Sequence, residues 1–568
     1  MKKILLRLMF LAMLVALLPV HVAQACSAFI VGKDLTADGS TLFGRTEDYP
    51  YAPDGGRHNQ NYVVVPAKTY KDGDKIEDES NGFTYPHLAN EMKYTAVYDS
   101  DRDNGSNGNF AAHGFNELGV AMTATVSATP NDKVLKQDPL VEDGLAEAAM
   151  VDLALPRSKT AREVIENVAK VIEEKGSAEG NIIVAADKNE LWYMEILSGH
   201  QYVAIKFPTN KYAVFANTYY LGHVDLNDKE NVIASKDVEE VAKKADNYKT
   251  DKDGNFMIAK SYGPDKYMER NRSRTYAGIK WMDPQAKVNY DDEAFDLLRE
   301  PTDPNKKYTV HDVIAEQRDR FETLPQYKAD DLVEVGKKID GNVYKYALGN
   351  ENVIDAHVYQ IKPNLPNAFG GVMWLGLAQS RNTPYVPFYG NVEDTYEAFK
   401  NRSTKYDGKS WYWTVWHIDQ MVMKYPEIFG NSIQEKWKAK EAEWDKEQTE
   451  RDAKYANYTD EQAKAAGPEV TKEALERSEK IFKEIKAVEA EMEEKIKKEK
   501  GKDADLVYTG YNKANLLAEA EKGKSADKAS DTKKDSSSQT TWIVIGVLVV
   551  LVAGFFGYKQ FNKKKEEE

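Results

Sequence analysis

Apolar and polar positions divide the chain into stretches of different character. Ile4 to Val20 form an apolar run behind Lys2 and Lys3, and Ala23-Gln24-Ala25 follows it. That order of charged, apolar and small residues predicts a secretory leader, residues 1–25, cut before Cys26. From about Ser27 to Tyr425 short β-type runs alternate with Gly/Asn/Asp turns and short amphipathic helices. Asn181 to Asp187, Leu191 to Leu197, Gln201 to Phe207 and Lys211 to Ala216 read as an antiparallel meander, since turn residues separate each pair. Ahead of them, Thr160-x-x-Glu163 is a capping box leading into Val164, Ile165, Val168, Val171 and Ile172, the apolar stripe of a helix that would cover such a sheet. A sheet with helices packed on it, of α+β class, is the expected architecture.

The pattern changes at residue 431. Glu, Lys and Ala at helical spacing dominate to about residue 502, which predicts solvated helices forming a charged helical extension over 431–522. Residues 523–541 are polar and low in complexity, as a flexible stalk would be. Trp542 to Tyr558 is apolar and just long enough to span a bilayer, with aromatic residues near both ends. Lys559, Lys563, Lys564 and Lys565 follow in the tail, 559–568, which by the positive-inside rule is expected in the cytoplasm. The expected location is therefore the cell membrane, single-pass, with the domain at 26–430 outside the cell.

Composition narrows the chemistry. The 568 residues carry 77 Lys+Arg and 92 Asp+Glu, a net charge of −15, which argues against nucleic acid as a partner. The single cysteine, Cys26, excludes an internal disulfide and any Cys-based metal centre. His113 and His357 stand isolated in the sequence, and no HExxH spacing or Gly-x-Ser-x-Gly elbow occurs, so no metal and no cofactor is expected.

Cutting before Cys26 would expose a thiol together with an α-amine. The amine titrates at about 7.7–8.0 and the thiol at about 8.5, so the residue carries its own base near neutral pH. Two apolar runs flank Thr36-Ala37-Asp38-Gly39 as a hairpin does. With the turn centred near residue 36 or 37, Cys26 falls opposite roughly Thr46 to Asp48, within reach of Arg45 and Asp48. A nearby guanidinium favours the thiolate. Cys26 as a lipid-bearing cysteine is the competing reading, although Gln24 fits a lipobox poorly.

Cys26, Asp38-Gly39-Ser40, Phe43-Gly44-Arg45-x-x-Asp48, Gly114-Phe115-Asn116-Glu117-x-Gly119, Ala216-Asn217-Thr218-Tyr219 and Asn271-Arg272-Ser273-Arg274 occur in this order. In that order they resemble the N-terminal nucleophile hydrolases, most closely the peptidase family C69 dipeptidases, relatives of bile salt hydrolases and penicillin V acylases. The resemblance implies a four-layer αββα sandwich. It implies Cys26 as nucleophile, Arg45 and Asp48 beside it, Asn217 as an oxyanion-hole amide, and Arg274 or Arg272 as a second arginine. Ala121 to Val126 offers no match to a second asparagine of the acylases, which favours the dipeptidase branch. The implied substrates are dipeptides with a free amino terminus; the apolar C-terminal stretch makes the membrane a second expected partner, and the oligomeric state, a homo-oligomer included, is left open. A bile-salt or penicillin acylase is the alternative within the class, and a non-catalytic adhesin or receptor the alternative outside it.

Overall fold

The computed structural model describes residues 26–49, 58–100, 107–322, 324, 337–339, 342–344 and 347–506. The leader at 1–25, the stalk and the apolar stretch at 542–558 lie outside them. No helix among the described residues is long and apolar enough to cross a membrane.

Two antiparallel sheets carry the fold. Strands β1 (Ser27–Val31) and β2 (Thr41–Asp48) form the expected hairpin, with Ser27 opposite Thr46 and Val31 opposite Leu42. Gly39 closes the turn at φ +73°, where a Cβ would be strained. Strands β3 (Gln60–Val65), β4 (Tyr94–Ser100), β5 (Asn107–Phe115) and β6 (Ala121–Ala128) follow, then helices α1 (Glu147–Ala154) and α2 (Ala161–Lys175). Next come β7 (Gly180–Ala186), β8 (Leu191–Ile196), β9 (Tyr202–Lys206), β10 (Tyr212–Phe215) and β11 (Val232–Ala234). Helices α3 (Glu269–Met282) and α4 (Val310–Gln317) precede β12 (Val353–Ile361), β13 (Val372–Leu377) and β14 (Val386–Tyr389), and helices α5 (Trp411–Lys424), α6 (Ser432–Tyr455) and α7 (Gly467–Lys500) end the described chain.

One sheet has the order β10-β1-β2-β12-β13-β14 and the other β11-β9-β8-β7-β6-β5-β4-β3. Their facing sides share one core. Along β7, Ile182 and Val184 pack into it, whereas Ile183 and Ala185 join Val164, Ile165, Val168 and Ile172 of α2 on the outer side. The two-residue period of the strand thus assigns each side chain to a layer. Helices α3 and α4 cover the outer side of the six-stranded sheet, giving helix, sheet, sheet, helix.

Two expectations need correction. The fourth run of the predicted meander leaves it: β10 crosses to the other sheet and pairs with β1, Ala28 opposite Phe215, while β11 takes its place beside β9. All four residues of β10 are buried, so an edge with one wet face would not serve it. Residues 431–500 are helical but do not form a separate, solvated extension, and the boundary expected at residue 430 falls inside one compact unit. Trp437, Trp444, Tyr455, Ile481, Ile485 and Ile496 are buried, and the seam is also polar. Glu441 takes two bonds from Arg318, at 2.9 and 2.5 Å, and one from the Tyr385 N–H at 2.8 Å. Asp452 accepts from Tyr389 at 2.5 Å and pairs with Lys362. Such widely spaced charged positions look solvated in a Glu/Lys-rich run, yet here they face the sheet.

Candidate active site

Pairing of Ser27 with Thr46 sets Cys26 level with Glu47 at the end of the central hairpin. On the other side of β2, β12 runs so close that a Cβ on Gly44 would lie 2.0 Å from the His357 carbonyl oxygen; glycine there lets the strands meet. Alternation places Arg45 and Glu47 toward the second sheet, and Thr46 and Asp48 toward α3.

The thiol of Cys26 is fully buried and accepts from Arg45 Nη1 at 3.3 Å. Arg45 Nη2 donates to Glu47 Oε2 at 2.8 Å and to the Ala124 carbonyl at 2.9 Å, and Nε donates to Thr123 Oγ1 at 3.0 Å. Burial works against this cation, but Glu47 and Cys26 outweigh it and hold its proton more firmly than usual. Burial pushes the Cys26 thiol up to about 12, against Arg45. It likewise pushes the Glu47 carboxyl up to about 8. Glu47 Oε1 is buried without a hydrogen-bond partner among the described residues.

Asp48 is positioned differently from Arg45. Its carboxylate accepts from Asn350 Nδ2 at 2.6 Å, and it is its backbone N–H that reaches the thiol. Arg274, on α3, donates from Nη1 to the Cys26 carbonyl and to Ser27 Oγ (3.1 Å), and from Nη2 to Asn217 Oδ1 at 2.8 Å and Asn271 Oδ1 at 2.9 Å. Burial lowers its pKa. Arg272 points away, to the carbonyls of Tyr290 and Asp292 at 2.6 Å, so of the two candidates only Arg274 lies against Cys26.

Asn217 follows β10, in a turn pinned from two sides. Asn271 Nδ2 donates to its carbonyl at 2.5 Å, and Glu195 Oε1 receives the N–H groups of Tyr220 and Leu221 at 2.6 and 3.1 Å. Because a guanidinium only donates, Arg274 fixes Oδ1 of the amide toward itself. Nδ2 is then turned the other way, buried, with no hydrogen-bond partner among the described residues. A buried N–H without an acceptor is free to serve a developing oxyanion.

The structure thus brings together Cys26, Arg45, Asn217 and Arg274, with Asp48 joined through its backbone. It adds Glu47, Thr123, Asn271 and Asn350. Glu47 could have been found from Arg45-x-Glu47, two positions on one face of a strand. His113 and His357 are not isolated: their rings stack at 3.6 Å, and with Asp355 they offer three ligand-type atoms within 4.8 Å of one another.

Comparison with known proteins extends this picture. The sequence profile of Peptidase family C69 matches residues 25–478. The chain is 48% identical over 486 residues to the protein named "Probable dipeptidase B" of Streptococcus pyogenes serotype M1, spanning 84% of this chain and 95% of that one. It is 32% identical over 393 residues to "Probable dipeptidase" of Latilactobacillus sakei, spanning 69% and 79%. Among solved structures, a cysteine-to-alanine mutant of conjugated bile acid hydrolase from Clostridium perfringens aligns over 64% of this chain and 92% of its own, at 14% identity and a TM-score of 0.25, too low to bear on the fold.

Proposed function

The chain belongs to peptidase family C69, and from that premise we propose that it is a dipeptidase with an N-terminal nucleophile hydrolase fold, in which the Cys26 thiolate attacks the peptide carbonyl. The observation that carries the mechanism is the thiol against Arg45 with the unpartnered Asn217 Nδ2 held in place by the same Arg274 that binds the Cys26 carbonyl.

Burial holds the thiol above its usual range, which disfavours the thiolate, so a base in contact with it is needed. While residue 25 is attached, the Cys26 nitrogen is an amide with no basic lone pair. Cutting after Ala25 frees an α-amine two bonds from Cβ, and that amine takes the thiol proton as sulfur attacks. Arg45 steadies the sulfur's negative charge. Asn217 Nδ2 donates to the oxyanion, the protonated amine returns its proton to the leaving nitrogen, and a thioester remains. Water, deprotonated by the same amine, hydrolyses the thioester and restores the thiol. Asp48 is assigned to the substrate's ammonium group, where a charge-assisted bond contributes roughly 1.5–3 kcal/mol.

The decisive experiment compares unblocked dipeptides, their N-acetylated forms, glycocholate and penicillin V as substrates of the full chain. Cleavage of unblocked dipeptides and poor turnover of the rest supports the reading; preference for glycocholate or penicillin V overturns the dipeptidase assignment and leaves the thiol mechanism standing. Full activity with an uncleavable residue before Cys26 would remove the α-amine from the mechanism. The leader-like and bilayer-length stretches support a membrane-anchored enzyme facing outward, which protease shaving of intact cells would test.

A further inference from the structure

His113 comes from β5 of one sheet, and Asp355, His357 and Tyr359 from β12 of the other. Asp355 Oδ2 lies 3.0 Å from His113 Nε2 and 3.2 Å from His357 Nδ1. The far nitrogen of His357, Nε2, is 3.0 Å from Thr123 Oγ1, the atom that receives Arg45 Nε. The far nitrogen of His113, Nδ1, is 2.7 Å from the Tyr359 hydroxyl. All of these side chains are buried. A continuous line therefore runs from the thiol through Arg45, Thr123 and His357 to Asp355.

The proton positions follow from one end. A guanidinium has no acceptor, so Thr123 Oγ1 accepts from Arg45 and has a single proton to give. That proton goes to His357 Nε2, which places the ring proton on Nδ1, facing Asp355. His113 Nε2 lies 3.0 Å from the same carboxylate oxygen without a hydrogen bond to it, its ring stacks on His357 at 3.6 Å, and its Nδ1 accepts from Tyr359. Both rings are neutral in this arrangement and Asp355 is the one charge. Their environment agrees. Burial lowers His113 and takes His357 down to about 3, as two neutral rings require.

We propose that Asp355 and His357, steadied by His113, act through the Thr123 hydroxyl as positioning residues that fix the Arg45 guanidinium so that Nη1 stays on the Cys26 sulfur. The proposal rests on the thiol mechanism above. A carboxylate at the end of the line sets the tautomer of His357, and the tautomer decides whether Thr123 is able to accept from Arg45. A metal ion held by the same three residues would reverse the line. Neutral His357 bound through Nδ1 must carry its proton on Nε2, so both neighbours of Thr123 would donate to it and its own proton would have no acceptor.

The test uses the full chain with Thr123→Val, which keeps shape and removes the hydroxyl, Thr123→Ser, which restores it, and Asp355→Asn. Two quantities are read: kcat and KM on an unblocked dipeptide, and the rate of iodoacetamide alkylation of Cys26 against pH. The thiol faces Arg45, Glu47 and Asp48 on β2 and Arg274 on α3, none of them altered. Thr123→Val should lose about 10- to 100-fold in kcat, with KM nearly unchanged, as changes behind a reacting group typically do. Its alkylation midpoint should move to higher pH, and Asp355→Asn, if it folds, should behave alike. Thr123→Ser should return both quantities toward the parent. Parent-like kcat and alkylation in Thr123→Val, failure of serine to restore them, or one zinc per chain whose removal by a chelator inactivates the enzyme would each overturn the proposal. Were the parent inert toward dipeptides, the substrate reading would fail while the alkylation profiles still decided this one.

Discussion

Two buried arginines make opposite use of similar surroundings. At the helical seam Arg318 gives Nε to the Ser380 carbonyl at 3.2 Å, Nη2 to the Thr383 carbonyl at 2.7 Å and a two-pronged bond to Glu441, whose oxygens are both taken. At the hairpin end Arg45 is divided between the Glu47 carboxyl group and a thiol, Glu47 Oε1 is left without a hydrogen-bond partner among the described residues, and Asn217 Nδ2 is in the same condition. A closed set of hydrogen bonds holds two elements in register. An open set holds free energy in reserve for a group that arrives later, and the fold carries its desolvation cost until then.

The contrast yields predictions of decreasing size. Cys26→Ala should abolish peptide hydrolysis, on the order of 10⁴-fold or more, with an unchanged melting curve; measurable turnover at parent rates would place the chemistry elsewhere. Glu441→Ala should do the reverse, costing about 3–5 kcal/mol of stability in urea unfolding, because it strands a buried guanidinium, while the fraction that remains folded keeps its kcat. Asn217→Ala, at the open end, should lower kcat by about 10²–10³ and cost only about 1–3 kcal/mol of stability, for the acceptor that Arg274 loses. A large fall in Tm there would mean the amide is structural after all. Asp48→Asn should lower kcat/KM by about 1.5–3 kcal/mol equivalent, on unblocked dipeptides more than on acetylated ones.

The smallest effect is one of pH. Folding raises the Glu47 pKa from 4.5 to about 8, so the protonated form is favoured in the native state. The stability this contributes is present below about pH 4.5 and is lost as pH climbs through about 8. Glu47→Gln has no such dependence. Its Tm relative to the parent should therefore improve by about one to a few degrees between pH 5 and pH 9, and a constant difference would show that Glu47 does not titrate in this window.

How much of this the sequence could reveal depended on distance along the chain. The hairpin follows from counting, since a turn near residue 36 or 37 puts Ser27 opposite residues 45–47, and it pairs with Thr46. The seat of β10 does not, because a fully apolar four-residue run fits any two-faced slot and only the finished sheets show which is open. Arg272 and Arg274 are two steps apart on a helix, about 200° around its axis, so their fates diverge for a reason no motif carries. Asp355-x-His357 was legible as two positions on one face of a strand, but His113 looks solitary because its partners lie on the opposite sheet, and strand pattern contains no information about which faces will meet.

The order of strands also bears on time. Beside β2, which holds Arg45, lies β12, with Arg45 opposite His357. Those strands meet only after some three hundred intervening residues have been made, and such distant pairings are the slow ones in folding. During synthesis the hairpin emerges first and waits with one long edge uncovered, a period in which it is open to mispairing. The guanidinium that is to meet the thiol is thus clamped only when most of the chain exists, so catalytic competence arrives late, as a property of the completed molecule.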